Sequence, residues 1–387
     1  MRPFRVEIPQ SDLDDLHRRI AETRWPTAPP DTGWERGVPL TYLRDLAEYW
    51  RTGYDWRAAE ARLNRYPQFI VEIDGAAVHV MHVRSPEPHA RPLLLTHGWP
   101  GSVAEFLDII DPLVDPRSHG GHPRDAFHLV IPSIPGFGFA GPTPDTGWNI
   151  QRIARAWAEL MRLLGYPRYL AQGGDAGSWI SLALAALHPE QVIGVHVNFL
   201  PTPPPPGGAA SLAGLDERDQ ARLAQLVRFV TDGTGYMKLQ STRPNTLAYA
   251  LTDSPVGQLA WIVEKFWEWT DSAKVPEDAV DRDLMLTNAT IYWLTATAGS
   301  SAQLYVEMAD LLPTAATPPG PPPPLPVPLG VAVFPRDPGQ PIRRFAEASF
   351  PNILRWSEFD RGGHFAAMEQ PDLFVGDLRA FARALPR

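Results

Sequence analysis

The order of apolar and polar positions divides the chain into stretches of different period. In the first, Leu13, Leu16 and Ile20 recur at helical spacing behind Ser11-Asp12-Leu13-Asp14, a capping-box-like start, and predict a helix ending near Glu22. Trp25-Pro26 breaks the regularity. Tyr42, Leu43, Leu46 and Trp50 then mark a second amphipathic helix ahead of Asn64-Arg65-Tyr66-Pro67. From residue 69 the period becomes that of strands, 69–73 and 78–83, joined by an Asp74-Gly75 turn. Continuous apolar runs at 92–96, 127–132, 169–171 and 192–197 read as strands buried on both faces, and the Ala/Leu-rich run 179–187 as a helix among them. Strands alternating with helices imply the α/β class, with a mainly parallel, doubly covered sheet.

The alternation stops between Pro201 and Pro206. From there to about Leu312 the sequence is helical in character, with Leu259, Ile262, Val263, Phe266 and Trp267 in one apolar stripe. Residues 317–328 contain eight prolines, which no helix or inner strand accommodates, and read as an extended connector. Strand sequence resumes at 331–335 and 353–359. A last helix from about Pro371 carries Leu373, Phe374, Leu378 and Phe381 on one side. The expected organisation is an N-terminal wrapping segment over 1–68, a first part of the α/β core over 69–205, a helical cap over 206–316 and a second part of the core over 317–387.

Composition narrows the function classes. The 387 residues are 44% hydrophobic with 13 Trp and 16 Phe, enough for a large core, and no apolar stretch approaches the roughly 18 to 20 residues that span a bilayer. There is no cysteine, so disulfides, thiolate metal sites and thiol nucleophiles are excluded. A net charge of -9 without a basic cluster disfavours nucleic acid or a membrane surface as partner. Met1 to Glu7 lacks the apolar segment of a secretory signal, and a cytoplasmic protein with a small, weakly charged ligand is expected.

The chemistry is expected at Gly173-Gly174-Asp175-Ala176-Gly177, which joins the 169–171 strand to the helix after it. That is the context of a nucleophile elbow, in which glycines let strand and helix crowd together and a strained turn presents the central side chain. The central residue is Asp175. A carboxylate attacks an alkyl carbon and becomes an alkyl ester. In this topology an acid and then a histidine follow the nucleophile in chain order. Asp337 and His364 each lie just past a strand end, at the edge where parallel strands converge. Glu358 and Asp360 are rival acids close to the histidine in sequence. Backbone N–H groups of Trp99, in His97-Gly98-Trp99-Pro100, and of Ala176 can form an oxyanion hole. His79, His82 and His97 read as structural. His119, His122 and Asp125 form a weak metal candidate in a loop with no preorganising element.

These motifs together resemble a known family. His97-Gly98-Trp99-Pro100-Gly101-Ser102, Pro132-Ser133-Ile134-Pro135-Gly136-Phe137-Gly138-Phe139, Gly173-Gly174-Asp175 and Arg361-Gly362-Gly363-His364-Phe365 look like the α/β-hydrolase epoxide hydrolases of the microsomal and juvenile-hormone type. The resemblance extends over nearly the whole chain. It implies an α/β-hydrolase fold, Asp175 as nucleophile, His364 as base, Asp337 as its partner, and two cap tyrosines on the epoxide oxygen, matched by Tyr236 and Tyr305. It also implies an epoxide and water as reactants, a diol product and no cofactor, with homodimer formation left open. The mammalian microsomal form has Glu where this chain has Asp337, and a membrane anchor that is not expected here. A weaker similarity reaches the bacterial enzymes of enediyne antibiotic biosynthesis. Trp148, Trp261, Trp267 and Trp269 suggest an aryl or bulky apolar substrate. The alternatives are a haloalkane-type dehalogenase, which commonly has Trp where Ala176 stands, a non-catalytic binding protein on the same fold, and a serine esterase using Ser178 or Ser102.

Overall fold

The computed structural model describes residues 1–27, 30, 32–200, 202, 212–312 and 325–385. The chain opens with a short strand β1 (Arg2–Phe4), followed by helices α1 (Gln10–Ala21), α2 (Leu40–Thr52) and α3 (Trp56–Leu63). Strands β2 (Gln68–Ile73), β3 (Ala76–Val83) and β4 (Arg91–Thr96) come next, then α4 (Ile110–Val114), β5 (Phe127–Pro132), α5 (Ile150–Leu163), β6 (Tyr169–Gly173), α6 (Ala176–Leu187) and β7 (Val192–Val197). A helical block follows: α7 (Glu217–Arg228), α8 (Gly235–Thr242), α9 (Pro244–Asp253), α10 (Pro255–Glu268), α11 (Arg282–Leu294) and α12 (Ala298–Glu307). The chain ends with β8 (Leu329–Val333), α13 (Arg343–Ser349), β9 (Ile353–Glu358), α14 (Ala366–Glu369) and α15 (Pro371–Ala384).

The strands form one sheet in the order β1-β2-β3-β5-β4-β6-β7-β8-β9. Pairings from β5 through β9 are parallel, and those of β1, β2 and β3 antiparallel. The inner strands expected from continuous apolar runs are buried along their length, as in β6 and β8. Because β4 has its successor β5 on one side and β6 on the other, the connections leave it in opposite directions. The carboxyl ends of β4 and β6 are therefore the topological switch point, the usual ligand position in an open α/β sheet.

Three expectations about the first 68 residues are corrected. The strand β1 was not anticipated, and it sits at the sheet edge, where Pro3 is tolerated. The helix expected from Ser11 begins at Gln10 behind Pro9, and Ser11 turns to Asp12 (3.1 Å) without capping the helix. The second helix is two, because Gly53 ends α2 and Asp55 caps α3 by accepting from the N–H of Ala58. Most of the proline-rich residues between 201 and 206, and those of 317–324, lie outside the described residues.

The N-terminal helices hold both the sheet and the helical block. Asn64 exchanges hydrogen bonds with the backbone of Val6, while Trp50 donates to Thr290 (2.9 Å) and Tyr54 pairs with Thr287 on α11. Each such bond contributes about 0.5–1.5 kcal/mol net, less than burying a large side chain such as the fully enclosed Trp50. Packing therefore anchors this segment and the polar bonds set its register. Among the described residues no helix is long and apolar enough to cross a membrane.

Candidate active site

The turn after β6 is tight because it lacks side chains where strand and helix meet. A Cβ on Gly173 would fall 2.1 Å from the carbonyl oxygen of Gly177, and one on Gly177 would fall 2.0 Å from that of Thr96. Between them Asp175 adopts φ 49° and ψ -128°, a conformation that L-residues rarely take outside strained functional turns. The strain lifts its carboxylate out of the sheet toward the loop after β4. There the backbone N–H of Trp99 donates to Oδ1 at 2.9 Å. Ala176, also expected as a donor, is the first residue of α6, where a helix leaves backbone N–H groups without partners of its own.

The other carboxylate oxygen faces the histidine. Nε2 of His364 lies 3.6 Å from Oδ2 of Asp175, and Nδ1 lies 2.8 Å from Oδ2 of Asp337. Asp337 is itself oriented by the N–H of Gly339, which donates to Oδ1 at 2.7 Å. Neither rival acid is placed for this role. Glu358 is bound by Arg222 and Trp356, and Asp360 is exposed beside Arg361. Burial pulls the His364 imidazole down, but the charge of Asp337, its hydrogen bond to the ring and the nearby Asp175 carboxylate prevail and push it up to about 10.

Tyr236, at the start of α8, and Tyr305, on α12, complete the constellation. Both are buried, with ring centroids 5.8 Å apart in an edge-to-face arrangement. Trp99 stacks on Tyr236 at 5.0 Å and meets Tyr305 edge-on at 5.7 Å. Burial, followed by the charge of Asp175, pushes the Tyr236 phenol well above its ordinary value. Tyr305 rises through burial and then through Tyr236 and Asp175. Both therefore stay protonated as donors at neutral pH.

Several residues near the site were not found from sequence. Asn198 accepts from Gln172 (2.9 Å) and donates to the carbonyl of His364 (3.2 Å), tying β6 to the histidine loop. Trp269, one of the tryptophans expected near the substrate, has a further contact that was not expected: its carbonyl accepts from the N–H of His364 (2.8 Å), and its ring lies 5.0 Å from the imidazole. Glu369 accepts from the N–H groups of Phe365 and Asp271, and burial raises it to about 8. Burial likewise raises Glu105 to about 8, with the His364 charge opposing the rise and that of Asp175 adding to it. Each is an ordinary residue in its local sequence and gains significance only from convergence in space.

The remaining candidates are occupied elsewhere. Ser178 donates to the backbone of Asp175 and Ser102 to Asn288, so neither hydroxyl is paired with His364. His97 accepts from the N–H of Ile134 and, burial having lowered it to about 4, joins two loops as a neutral residue. His79 lies between Ser133 and Gln68, and His82 bonds Tyr166. His119 pairs with the Asp115 carbonyl, His122 with the Arg124 N–H and Asp125 with Arg383. Of the four tryptophans expected around the substrate, Trp269 is at the site, whereas Trp148 bonds Asp145, Trp261 bonds Gln240 and Trp267 stacks on Trp34.

Comparison with known proteins decides the family. A family model described as "Epoxide hydrolase N terminus" matches residues 1–106, and one described as "alpha/beta hydrolase fold" matches 91–211. Epoxide hydrolase 1 of Sus scrofa is 36% identical over 413 residues, covering 98% of this chain and 88% of that protein. The chain belongs to the epoxide hydrolases of the α/β-hydrolase fold. A Stigmatella aurantiaca protein with a provisional epoxide hydrolase name is 49% identical over 390 residues, covering 99% of this chain and 85% of its own. The solved epoxide hydrolase of Aspergillus niger superposes with a TM-score of 0.86 at 32% identity, covering 100% of this chain and 96% of that one. Family membership supports epoxide hydrolysis over the dehalogenase and non-catalytic readings.

Proposed function

We propose that this epoxide hydrolase converts an apolar, aryl-substituted or otherwise bulky epoxide to a vicinal diol through a hydroxyalkyl ester of Asp175. The observation that carries the reading is the division of labour within the Asp175 carboxylate, with Oδ1 held by the Trp99 N–H and Oδ2 directed toward His364. Oδ2 attacks a ring carbon. The ring C–O bond breaks with its electron pair on oxygen, which is stabilised by hydrogen bonds from Tyr236 and Tyr305 and takes a proton from a phenol.

Ester formation removes the Asp175 charge. That charge is among the causes holding His364 high, so the imidazole falls toward neutrality when a base is required. Neutral His364, held by Asp337, takes a proton from water, and the resulting hydroxide attacks the ester carbonyl. Negative charge collects on Oδ1, against the N–H groups of Trp99 and Ala176, and collapse releases the diol and restores the carboxylate. The proton taken from water returns to the phenolate. No step calls on a metal or organic cofactor. The apolar substrate class is supported by Trp99, Trp269 and the two tyrosine rings around the reacting carboxylate.

The test is incubation with racemic styrene oxide and a panel of bulkier aryl and alkyl epoxides, with chiral analysis of the diols. Enantioselective diol formation that favours aryl epoxides is expected. Turnover confined to small, polar epoxides would contradict the proposed substrate class.

A further inference from the structure

Lys265 is out of place in the pattern of its helix. It follows Ile262 and Val263 and precedes Phe266 in α10, yet its side chain is only 4% exposed. Burying an ammonium away from water is costly, and an apolar residue of similar volume would pack there without the cost. Its Nζ lies 4.4 Å from the centroid of the Tyr236 ring and 5.4 Å from that of Trp269. Among the described residues, Lys265 is the one cation over the Tyr236 ring. Trp99 stacks on the same ring, so Tyr236 is packed by both an indole and an ammonium.

We infer that Lys265 is a positioning residue for ring opening, acting through Tyr236 by fixing its ring against Trp99 and strengthening the phenol as a donor to the epoxide oxygen. A cation on the face of an aromatic ring draws electron density from it and stabilises negative charge that develops on its substituent. The charged groups around the phenol otherwise oppose that charge: Asp175 and Glu268 both disfavour it. Glu268 and Glu264 bind Nζ at 2.9 and 3.1 Å, but their side chains are 31% and 34% exposed, so water screens them more than the ammonium buried against the rings. Lys265 thus offsets the nearby carboxylates at the face of the ring that must support the developing alkoxide. In the opening step the C–O electron pair goes to the epoxide oxygen and the phenol supplies the hydrogen bond and proton. Lys265 gains and loses no proton.

This inference rests on the proposed role of Tyr236 as an oxygen donor, and a double-mutant cycle separates the two. The observable is the single-turnover alkylation rate with styrene oxide, alongside the hydrolysis rate of the ester. Lys265→Met is expected to slow alkylation on the order of tenfold and leave ester hydrolysis within about twofold. Lys265→Arg is expected to recover most of the loss, because it keeps the cation. In a Tyr236→Phe background, Lys265→Met should cost less than about twofold, since no phenol remains to be strengthened.

A role in packing alone predicts the same loss in both backgrounds and equal effects on both half-reactions, and either result overturns the inference while sparing the tyrosine reading. Tyr236→Phe at the wild-type alkylation rate overturns the reading and the inference together. Should Lys265→Met fail to fold through repulsion between Glu264 and Glu268, Lys265→Met/Glu268→Gln measured against Glu268→Gln gives the same comparison. Alkylation at the Glu268→Gln rate would then overturn the inference.

Discussion

The backbone N–H of Trp99 donates to Oδ1 of Asp175 at 2.9 Å, while Oδ2 of the same carboxylate lies 3.6 Å from Nε2 of His364. In the proposed mechanism Oδ1 is held where the oxyanion forms, and Oδ2, on the side of the histidine, attacks the epoxide. The two half-reactions are therefore expected to respond separately to substitution.

His364→Gln should still alkylate, because opening the ring requires the Asp175 carboxylate and a donor but no base. Hydrolysis should slow by roughly a hundred- to ten-thousandfold, the usual contribution of a general base. Intact-mass spectra should show a protein-plus-substrate adduct accumulating under saturating epoxide. Loss of activity without an adduct would place His364 earlier in the reaction.

Asp337→Asn removes the charge that does most to raise His364. The sign follows directly. A histidine held above its ordinary value by a neighbouring carboxylate falls when that charge is removed, so the rise of ester hydrolysis with pH should move to lower pH. The maximum rate should also drop, because the imidazole loses its orienting partner. Single-turnover hydrolysis measured from pH 5 to pH 10 reports both effects, and an unshifted profile would contradict the assignment.

Tyr236→Phe and Tyr305→Phe should each slow alkylation, and the double variant should be nearly inactive. Removing one donor from a developing oxyanion costs about 2.7–4 kcal/mol, with part of the loss covered by the surviving tyrosine in each single variant. Pre-steady-state tryptophan fluorescence follows the step, with Trp99 stacked on one of the two rings. A double variant that alkylates normally would leave these tyrosines as packing residues.

A stability prediction concerns Asp377 on α15, buried between His196 of β7 and Ser357 and Arg355 of β9. Burial raises its carboxyl, but the bonds to His196, Ser357 and Arg355 prevail and lower it from 3.8 to about 2. The stabilisation is therefore present above pH 3.8 and lost as pH falls through about 2. Asp377→Ala should cost about 3–5 kcal/mol near neutral pH, since it leaves a buried partner unpaired. Urea unfolding at pH 7 and pH 2 checks this, and the gap between variant and wild type should narrow at the lower pH.

The sheet and the elbow were legible because their signals are local. A buried parallel strand is a continuous apolar run, and a crowded strand-to-helix turn requires glycine at Gly173 and Gly177 whatever surrounds it. Asp337 and His364 could be proposed because each follows a strand that ends at the same edge. Tyr236 and Tyr305 carry no local mark of their chemistry and entered through family resemblance. Asn198, Glu105 and Lys265 are likewise unremarkable in their own segments, and only the folded helices and loops bring them to the site. Gly53 and Asp55 did signal the break between α2 and α3, but the helical spacing of the flanking residues masked it.

The central claim is that Asp175 becomes covalently bonded to the substrate, and the most direct test is the origin of the diol oxygen in a single turnover. With enzyme in excess over epoxide in heavy-oxygen water, the first diol should carry unlabelled oxygen from the carboxylate, because water attacks the ester carbonyl. Label should then appear in the protein, in the peptide that contains Asp175, and reach the diol only in later turnovers. Full incorporation of heavy oxygen into the first-turnover diol, with none in that peptide, would mean that water attacks the epoxide directly and would contradict the account.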